Sequence, residues 1–555
     1  MSLSSLEIAR KAKPHHIHAV AAGAGIHADE LEVYGSTKAK VSLALLDRLA
    51  ARPQGKLICV TGMTPTREGD GKTCTSIGLT QALDLLKKKV MLCLREPSLA
   101  PIFGYKGGAT GGGYAQVLPM EDINLHFTGD IHAIEIAHNL LAAVLDNHIQ
   151  HGNALRIDRD GIFWRRTLDI SDRQLRDIVT GVSKASRFAR HKTGFDITAA
   201  SEVMAALSLS ISVHSLKSKL SKISVALSED GRLITAKDLK ASGAMALLMK
   251  EAIKPNLVQT LEGQPVFVHT GPFANVSHGN SSLVSALMAL KLATYVVTES
   301  GFAADLGLEK FFDIVCREGG IKPSVAVLVV SLKALKSHAG EFIASKKWSD
   351  VFKEGFANAD RHIQNIRKFG VPVVVAINRF PDDTDDAVRV VKDYFSSQDV
   401  ECAVSEGVRL GGEGAVELAE KVLKVLSGKS AQFSPFYELG LSAEDKIHKI
   451  ATGLYGASGV VYLDQAKEDL ELIRRQKLEH LPVNMAKTPY SFSDEPHLKG
   501  APSGWKLKIR AIQPYTGAGF LVALAGKMML MPGLPEKPML EGMDLGDDGE
   551  AKGLF

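Results

Sequence analysis

Cys59-Val60-Thr61-Gly62-Met63-Thr64-Pro65-Thr66-Arg67-Glu68-Gly69-Asp70-Gly71-Lys72-Thr73 is the stretch on which the reading of this chain turns. An apolar, β-branched run at 57–60 leads into it, and a helical pattern at 76–86 leaves it. Strand, glycine-rich turn, Lys-Thr and helix are the parts of a phosphate cradle. Glycines let backbone N–H groups turn toward phosphate oxygens, and the helix N-terminus adds positive potential. Lys72 can reach the terminal phosphates, and the Thr73 hydroxyl can ligate Mg²⁺ through the nucleotide. Residues 64–73 are therefore read as an ATP-binding loop. Thr66 departs from the usual G-x-x-x-x-G-K-[ST], which has its first glycine at that place.

The same alternation continues away from the loop. Apolar runs at 90–94, 265–269, 295–298, 325–330 and 371–377 read as strands covered on both faces. Helical patterns at 131–145 and 281–292 fall between them. This is the signature of α/β units around a mostly parallel sheet, a P-loop NTPase-like fold. Parallel sheets bind ligands at the carboxyl ends of their strands, so Arg95, just after the run at 90–94, is expected beside the loop. Its planar fork suits a transferring phosphoryl group, and a structural salt bridge is the plainer alternative.

Composition narrows the class. With 66 basic and 62 acidic residues the net charge is only +4, and no Lys/Arg block marks a nucleic-acid tail or a membrane-surface patch. Cys59, Cys74, Cys93, Cys316 and Cys402 form no C-x-x-C pair, which argues against zinc and disulfides and for a reducing compartment. The first residues lack a signal-peptide pattern and no segment has the length and apolarity of a membrane span, so the cytoplasm is expected. His15-His16-x-His18 has metal-like spacing, but no second cluster completes a site.

Residues about 150–240 are richer in Arg, Lys and Ser and read as a lobe inserted into the first domain. The expected division is a nucleotide-binding domain at 1–365, a second α/β domain at 366–445 and a C-terminal α/β domain at 446–555.

Longer stretches carry a resemblance. The first is Lys106-Gly107-Gly108-Ala109-Thr110-Gly111-Gly112-Gly113-Tyr114-Ala115-Gln116-Val117-Leu118-Pro119-Met120-Glu121-Asp122-Ile123-Asn124-Leu125-His126-Phe127-Thr128-Gly129-Asp130. Others are Tyr34-Gly35 with Lys38-Ala39-Lys40, Phe195-Asp196-Ile197-Thr198 with its following Ala-Ser-Glu, HTGPFANVSHGNSS at 269–282, FGVPVVVAINRF at 369–380, Met485-Ala486-Lys487-Thr488 and Met531-Pro532-Gly533-Leu534-Pro535. Together, in order across almost the whole chain, they resemble the formate–tetrahydrofolate ligases.

The resemblance implies three domains and a reaction. Formate, tetrahydrofolate (as polyglutamates) and ATP with Mg²⁺ would give 10-formyltetrahydrofolate, ADP and phosphate through formyl phosphate. It also implies a homodimer or homotetramer and leaves a monovalent cation as a further requirement to test. Lys72 and Arg95 would neutralise the transferring phosphoryl group. The attacking N10 amine must lose a proton, which a carboxylate can accept. Asp130 is the candidate, and a helix N-cap is its plainer alternative. Phe380 matches the residue that stacks on one pterin face, while Val408, ahead of Gly411-Gly412, stands where the family usually has Trp. Lys333 replaces an Arg, Ala303 a Gly and Lys527 a carboxylate. Thr270-Gly271-Pro272-Phe273-Ala274-Asn275 is a further candidate lining of the formate or nucleotide pocket. Two competing readings share the loop: another P-loop ligase that forms an acyl phosphate, and a nucleotide-binding homologue without turnover.

Overall fold

The computed structural model describes residues 3–67, 69–105, 110–182, 191–338, 347–428 and 430–554. Glu68 and residues 106–109 of the stretches above lie outside them.

A mixed, mostly parallel sheet of twelve strands forms the centre. In chain order these are β1 (Leu31–Tyr34), β2 (Lys38–Val41), β3 (Lys56–Gly62), β4 (Val90–Leu94), β5 (Gly111–Gly112) and β6 (Ala115–Leu118). They continue with β7 (Asn256–Thr260), β8 (Pro265–Val268), β9 (Tyr295–Glu299), β10 (Pro323–Ser331), β11 (Val373–Asn378) and β12 (Cys402–Ser405). The spatial order is β1-β2-β7-β8-β4-β9-β3-β10-β11-β12, with β5 and β6 joined as a hairpin to β7. From β8 across to β12 every neighbouring pair is parallel. β1, β2 and β7 make an antiparallel edge. Helices cover the parallel strands on both faces, so β4 and β11 are buried at every position and read as unbroken apolar runs.

The apolar runs at 57–60, 90–94, 265–269, 295–298, 325–330 and 371–377 are all strands of this sheet, with ends shifted by at most two residues. Residue 366 lies in the helix Trp348–Lys368, between two strands that pair with each other. β11 pairs with β10 from Ala326↔Val373 to Ser331↔Asn378, and β12 pairs with β11. Two strands alone would be marginal in water, and here they extend the sheet that carries the loop.

Helix α1 (Lys72–Leu85) follows the loop, α2 (Asp130–Gln150) leads into the 150–240 segment, and α3 (Trp348–Lys368) precedes β11. Ile134, Leu141, Trp164, Met204 and Leu220 form a separate apolar cluster that joins α2 to that segment. Near the C-terminus β13 (Gly459–Tyr462), β14 (Val483–Ala486), β15 (Lys506–Tyr515) and β16 (Phe520–Ala525) form a second sheet, ordered β13-β15-β16-β14. Its Val483, Leu507 and Phe520 share one core with Leu57, Val296 and Leu328 of the large sheet. Among the described residues no helix is long and apolar enough to cross a membrane.

Candidate functional site

The carboxyl ends of the parallel strands converge on one edge, and the loop after β3 lies at its centre. Gly71 has φ +77°, and a Cβ there would meet Asn378 Nδ2 at 2.1 Å, so only glycine fits. Asn378, the last residue of β11, donates through Nδ2 to the Asp70 carbonyl at 3.1 Å. The Asp70 carboxylate accepts from Thr66 N at 2.8 Å and from Ser331 Oγ at 2.5 Å. Thr66 keeps a negative φ, so its place needs no glycine. At the other end of the loop Asn358 and His362 of α3 hold Thr64: its N–H donates to Asn358 Oδ1 at 3.2 Å, and its Oγ1 lies 3.1 Å from His362 Nε2. Gly71, the N-cap of α1, makes no side-chain cap hydrogen bond.

Lys72, Thr73, Arg95 and Glu299 meet beside the loop. Burial holds the Lys72 ammonium below its ordinary range, Glu299 and Asp70 oppose that, and Arg95 reinforces it. Burial likewise lowers Arg95, against the pull of Glu299. Thr73 Oγ1 donates to Glu299 Oε2 at 2.7 Å, and Arg95 Nη2 lies 3.6 Å from Glu299 Oε1. Arg95 Nη1 donates to the Pro272 carbonyl at 3.1 Å. Thr73, Arg95 and Glu299, with Glu96, Ser98, Gly271 and Phe273, line a cavity of about 80 Å³.

Asp130 lies deeper. Gly129 is the N-cap of α2 and Asp130 is its first residue, so the plain capping role is not the one it fills. Its carboxylate is 1% exposed and accepts from Lys40 Nζ at 2.8 and 2.9 Å and from Asn256 Nδ2 at 2.8 Å. The link to the cavity is Glu96, whose carboxyl is pushed up by burial first and then by the Asp130 charge, with Lys40 opposing. Among the described residues Glu96 Oε2 is buried without a hydrogen-bond partner.

On the other side of the loop, Phe380 follows β11 and Val408 follows β12. Lys333 Nζ sits 4.2 Å from the centre of the Phe380 ring, so one face of that ring carries an ammonium. Val408 is 42% exposed, and its carbonyl accepts from Tyr114 N at 2.9 Å.

The family model described as formate–tetrahydrofolate ligase matches residues 3–555. The chain belongs to that family. It is a ligase of formate and tetrahydrofolate, in a family that uses ATP. The convergence of the loop, Arg95 and the Thr270–Asn275 turn on one cavity follows from the topology, because each succeeds a parallel strand.

Glu299 and Asn378 were not singled out from the sequence. Glu299 is an isolated carboxylate at the end of an apolar run, YVVTE, and only the pairing of β9 between β3 and β4 places it against Thr73 and Arg95. A carboxylate in the last position of a strand beside a phosphate loop was the available signal. Mg²⁺ held through ATP would find two oxygen donors 2.7 Å apart, Thr73 Oγ1 and Glu299 Oε2. The described residues contain no separate cluster of three acidic, His or Cys side chains able to hold a metal.

Proposed function

We propose that ATP occupies the loop from Thr64 to Thr73 and that formate sits in the Arg95 cavity. A formate oxygen attacks the γ-phosphorus, ADP leaves, and formyl phosphate forms between Lys72 and Arg95. The N10 amine of tetrahydrofolate then attacks the formyl carbon, phosphate departs, and the N10 proton passes to the carboxylates of Glu96 and Asp130. Charge neutralisation by Lys72, Arg95 and Mg²⁺ supplies most of the first step. The pterin lies between Phe380 and the Val408 segment, flat against the ring face that Lys333 leaves open.

The observation that carries this reading is the meeting of Thr73, Arg95 and Glu299 on one cavity beside the loop, where a small anion would lie against the Arg95 fork. The proposal extends to a cytoplasmic homodimer or homotetramer, which sedimentation would check.

A coupled assay of ADP and 10-formyltetrahydrofolate, with each substrate omitted in turn, tests the sequence of steps. Exchange of labelled ADP into ATP that needs formate but not tetrahydrofolate is also expected, as is formation of ATP and formate from ADP and formyl phosphate. ADP release with acetate or carbamate as readily as with formate would overturn the assignment of the cavity.

A further inference from the structure

The turn that begins at Thr270 runs along the Arg95 cavity in a conformation its own sequence does not favour. Thr270 is β-branched yet has φ +54°, in the left-handed region. Gly279 has φ +73°, and a Cβ there would lie 2.2 Å from the Ala274 Cβ. The turn is nevertheless held against the strand end that carries Arg95. The Thr270 carbonyl accepts from Glu96 N at 2.8 Å, and the Pro272 carbonyl accepts from Arg95 Nη1 at 3.1 Å. Gly301 closes the other side, since a Cβ there would lie 2.7 Å from the Ala274 Cβ and 3.0 Å from Arg95 Nη1. The guanidinium is therefore seated by Pro272, Ala274 and Gly301, and a shift of the turn moves it.

Lys310 holds the turn from behind. It is 0% exposed, and its Nζ donates to the Ala274 carbonyl at 2.6 Å and to the Ser277 carbonyl at 3.1 Å. The carboxyl groups near it are engaged otherwise: Asp305 pairs with Lys487 at 2.8 Å, and burial pushes the Glu309 carboxyl well above its ordinary range. A buried ammonium with carbonyls for partners is costly to keep, so its two hydrogen bonds to one turn call for a reason beyond packing. Lys310 also stands between two π-helical turns, Ala304–Leu308 and Phe311–Val315, a winding that is rare and concentrates at functional sites.

We propose that Lys310 is a positioning residue of the reaction: it clamps the Ala274 and Ser277 carbonyls and, through the same turn and its Pro272 carbonyl, fixes the Arg95 guanidinium. This rests on the reading above, in which Arg95 acts on formate and the transferring phosphoryl group. The test is a double-mutant cycle of the parent, Lys310→Met, Arg95→Lys and the double variant, with turnover and ATP titration measured on each. Lys310→Met should lower kcat by about a hundredfold, the scale of a displacement of about 1 Å at the reacting centre, with ATP affinity changed by no more than about threefold. In the Arg95→Lys background, where the fork is already lost, Lys310→Met should cost no more than about a further threefold. A lysine that only supports the fold would lower turnover by the same factor in both backgrounds, so full additivity overturns the proposal. So does normal kcat in Lys310→Met, or loss of ATP binding in step with turnover. Lys310→Gln keeps a donor of shorter reach without the charge; it should lose about tenfold, the scale of one hydrogen bond, and it carries the same cycle if Lys310→Met does not fold. Normal turnover in Arg95→Lys overturns the Arg95 reading and the positioning role together. An impaired Arg95→Lys with an additive Lys310→Met overturns the positioning role alone.

Discussion

Thr73 Oγ1 donates to the Glu299 carboxylate at 2.7 Å, and the second oxygen of that carboxylate lies 3.6 Å from Arg95. One acidic side chain thus touches the residue expected to hold Mg²⁺ and the residue expected to hold the phosphoryl group. Glu299→Gln keeps the shape and removes the charge. Lys72 and Arg95 are then left as mutually repelling cations, and the metal loses a hard ligand. Turnover should fall about a hundredfold, the scale of one preorganised electrostatic contact, and the ATP KM should rise at limiting Mg²⁺. Steady-state assays across Mg²⁺ concentration check this. Normal turnover at saturating Mg²⁺ would make Glu299 a purely structural partner of Arg95.

Arg95→Lys retains the charge but not the fork. Its carbonyl contact at Pro272 and its approach to Glu299 use two different nitrogens, which an ammonium at one point does not reproduce. Turnover should fall by about a hundredfold with the ATP KM changed by no more than about threefold, because the fork matters most as charge moves onto the transferring group. A raised KM with unchanged kcat would show Arg95 binding ground-state nucleotide instead.

The sequence was most legible where period and chemistry coincide. The run VMLCL at 90–94 reads as a strand covered on both faces and is one, and the pattern that follows Gly71-Lys72-Thr73 reads as a helix and is one. β7 and β12 were harder: Asn256–Thr260 carries Asn, Gln and Thr, whose side chains are buried against neighbours that only the fold supplies. Strand pairing across residue 366 was hidden for a related reason. A change of local composition says nothing about sheet pairing, and β11 finds β10 across an intervening helix. Asp130 stood in a strongly patterned stretch, yet its partner Lys40 lies ninety positions away, so burial and pairing were invisible from its neighbours.

Asp130→Asn separates the two parts that Asp130 plays. The carboxylate is the counter-charge of Lys40, and both are almost fully buried. Removing one partner of such a pair should cost about 3–5 kcal/mol, against about 1 kcal/mol for a lost cap. Denaturant unfolding measures it. Replacing both partners, as Lys40→Met with Asp130→Leu, should recover much of that stability while leaving the enzyme inactive. Activity retained in the double variant would remove Asp130 from the chemistry.

Glu202 offers a test by pH. Its carboxylate accepts from Gly517 N at 2.6 Å and Ala518 N at 3.2 Å, joining the 150–240 segment to the C-terminal sheet. Burial pushes its pKa from 4.5 up to about 8, against those two hydrogen bonds. The native state therefore keeps a proton that the unfolded state releases between about pH 4.5 and 8. Through this group the parent loses stability as pH rises, by up to about 1.4 kcal/mol per unit. Glu202→Gln cannot titrate, so its stability relative to the parent should climb from pH 5 to pH 8 and then level off. Urea midpoints at several pH values report the difference. A constant difference would mean that Glu202 is ionised in the native state throughout.

The pterin wall is the departure with the clearest consequence. Val408 is 42% exposed and is fixed by its carbonyl to Tyr114, so a larger side chain can project outward without disturbing the core. One face of Phe380 is already covered by Lys333, which leaves the other for a flat ring. Phe380→Ala should weaken tetrahydrofolate binding by about tenfold, and Val408→Trp should tighten it by up to about tenfold, each the scale of one stacking contact. ATP affinity should hardly move in either, since Asn378, not Phe380 or Val408, touches the phosphate loop. Lys333→Ala serves as the control: it frees the covered face, and a gain in folate affinity there would mean that the pterin and the ammonium compete for the same side of the ring. An unchanged folate KM in Phe380→Ala would place the pterin elsewhere. Loss of folate binding in Val408→Trp would instead show that another side chain already fills that wall.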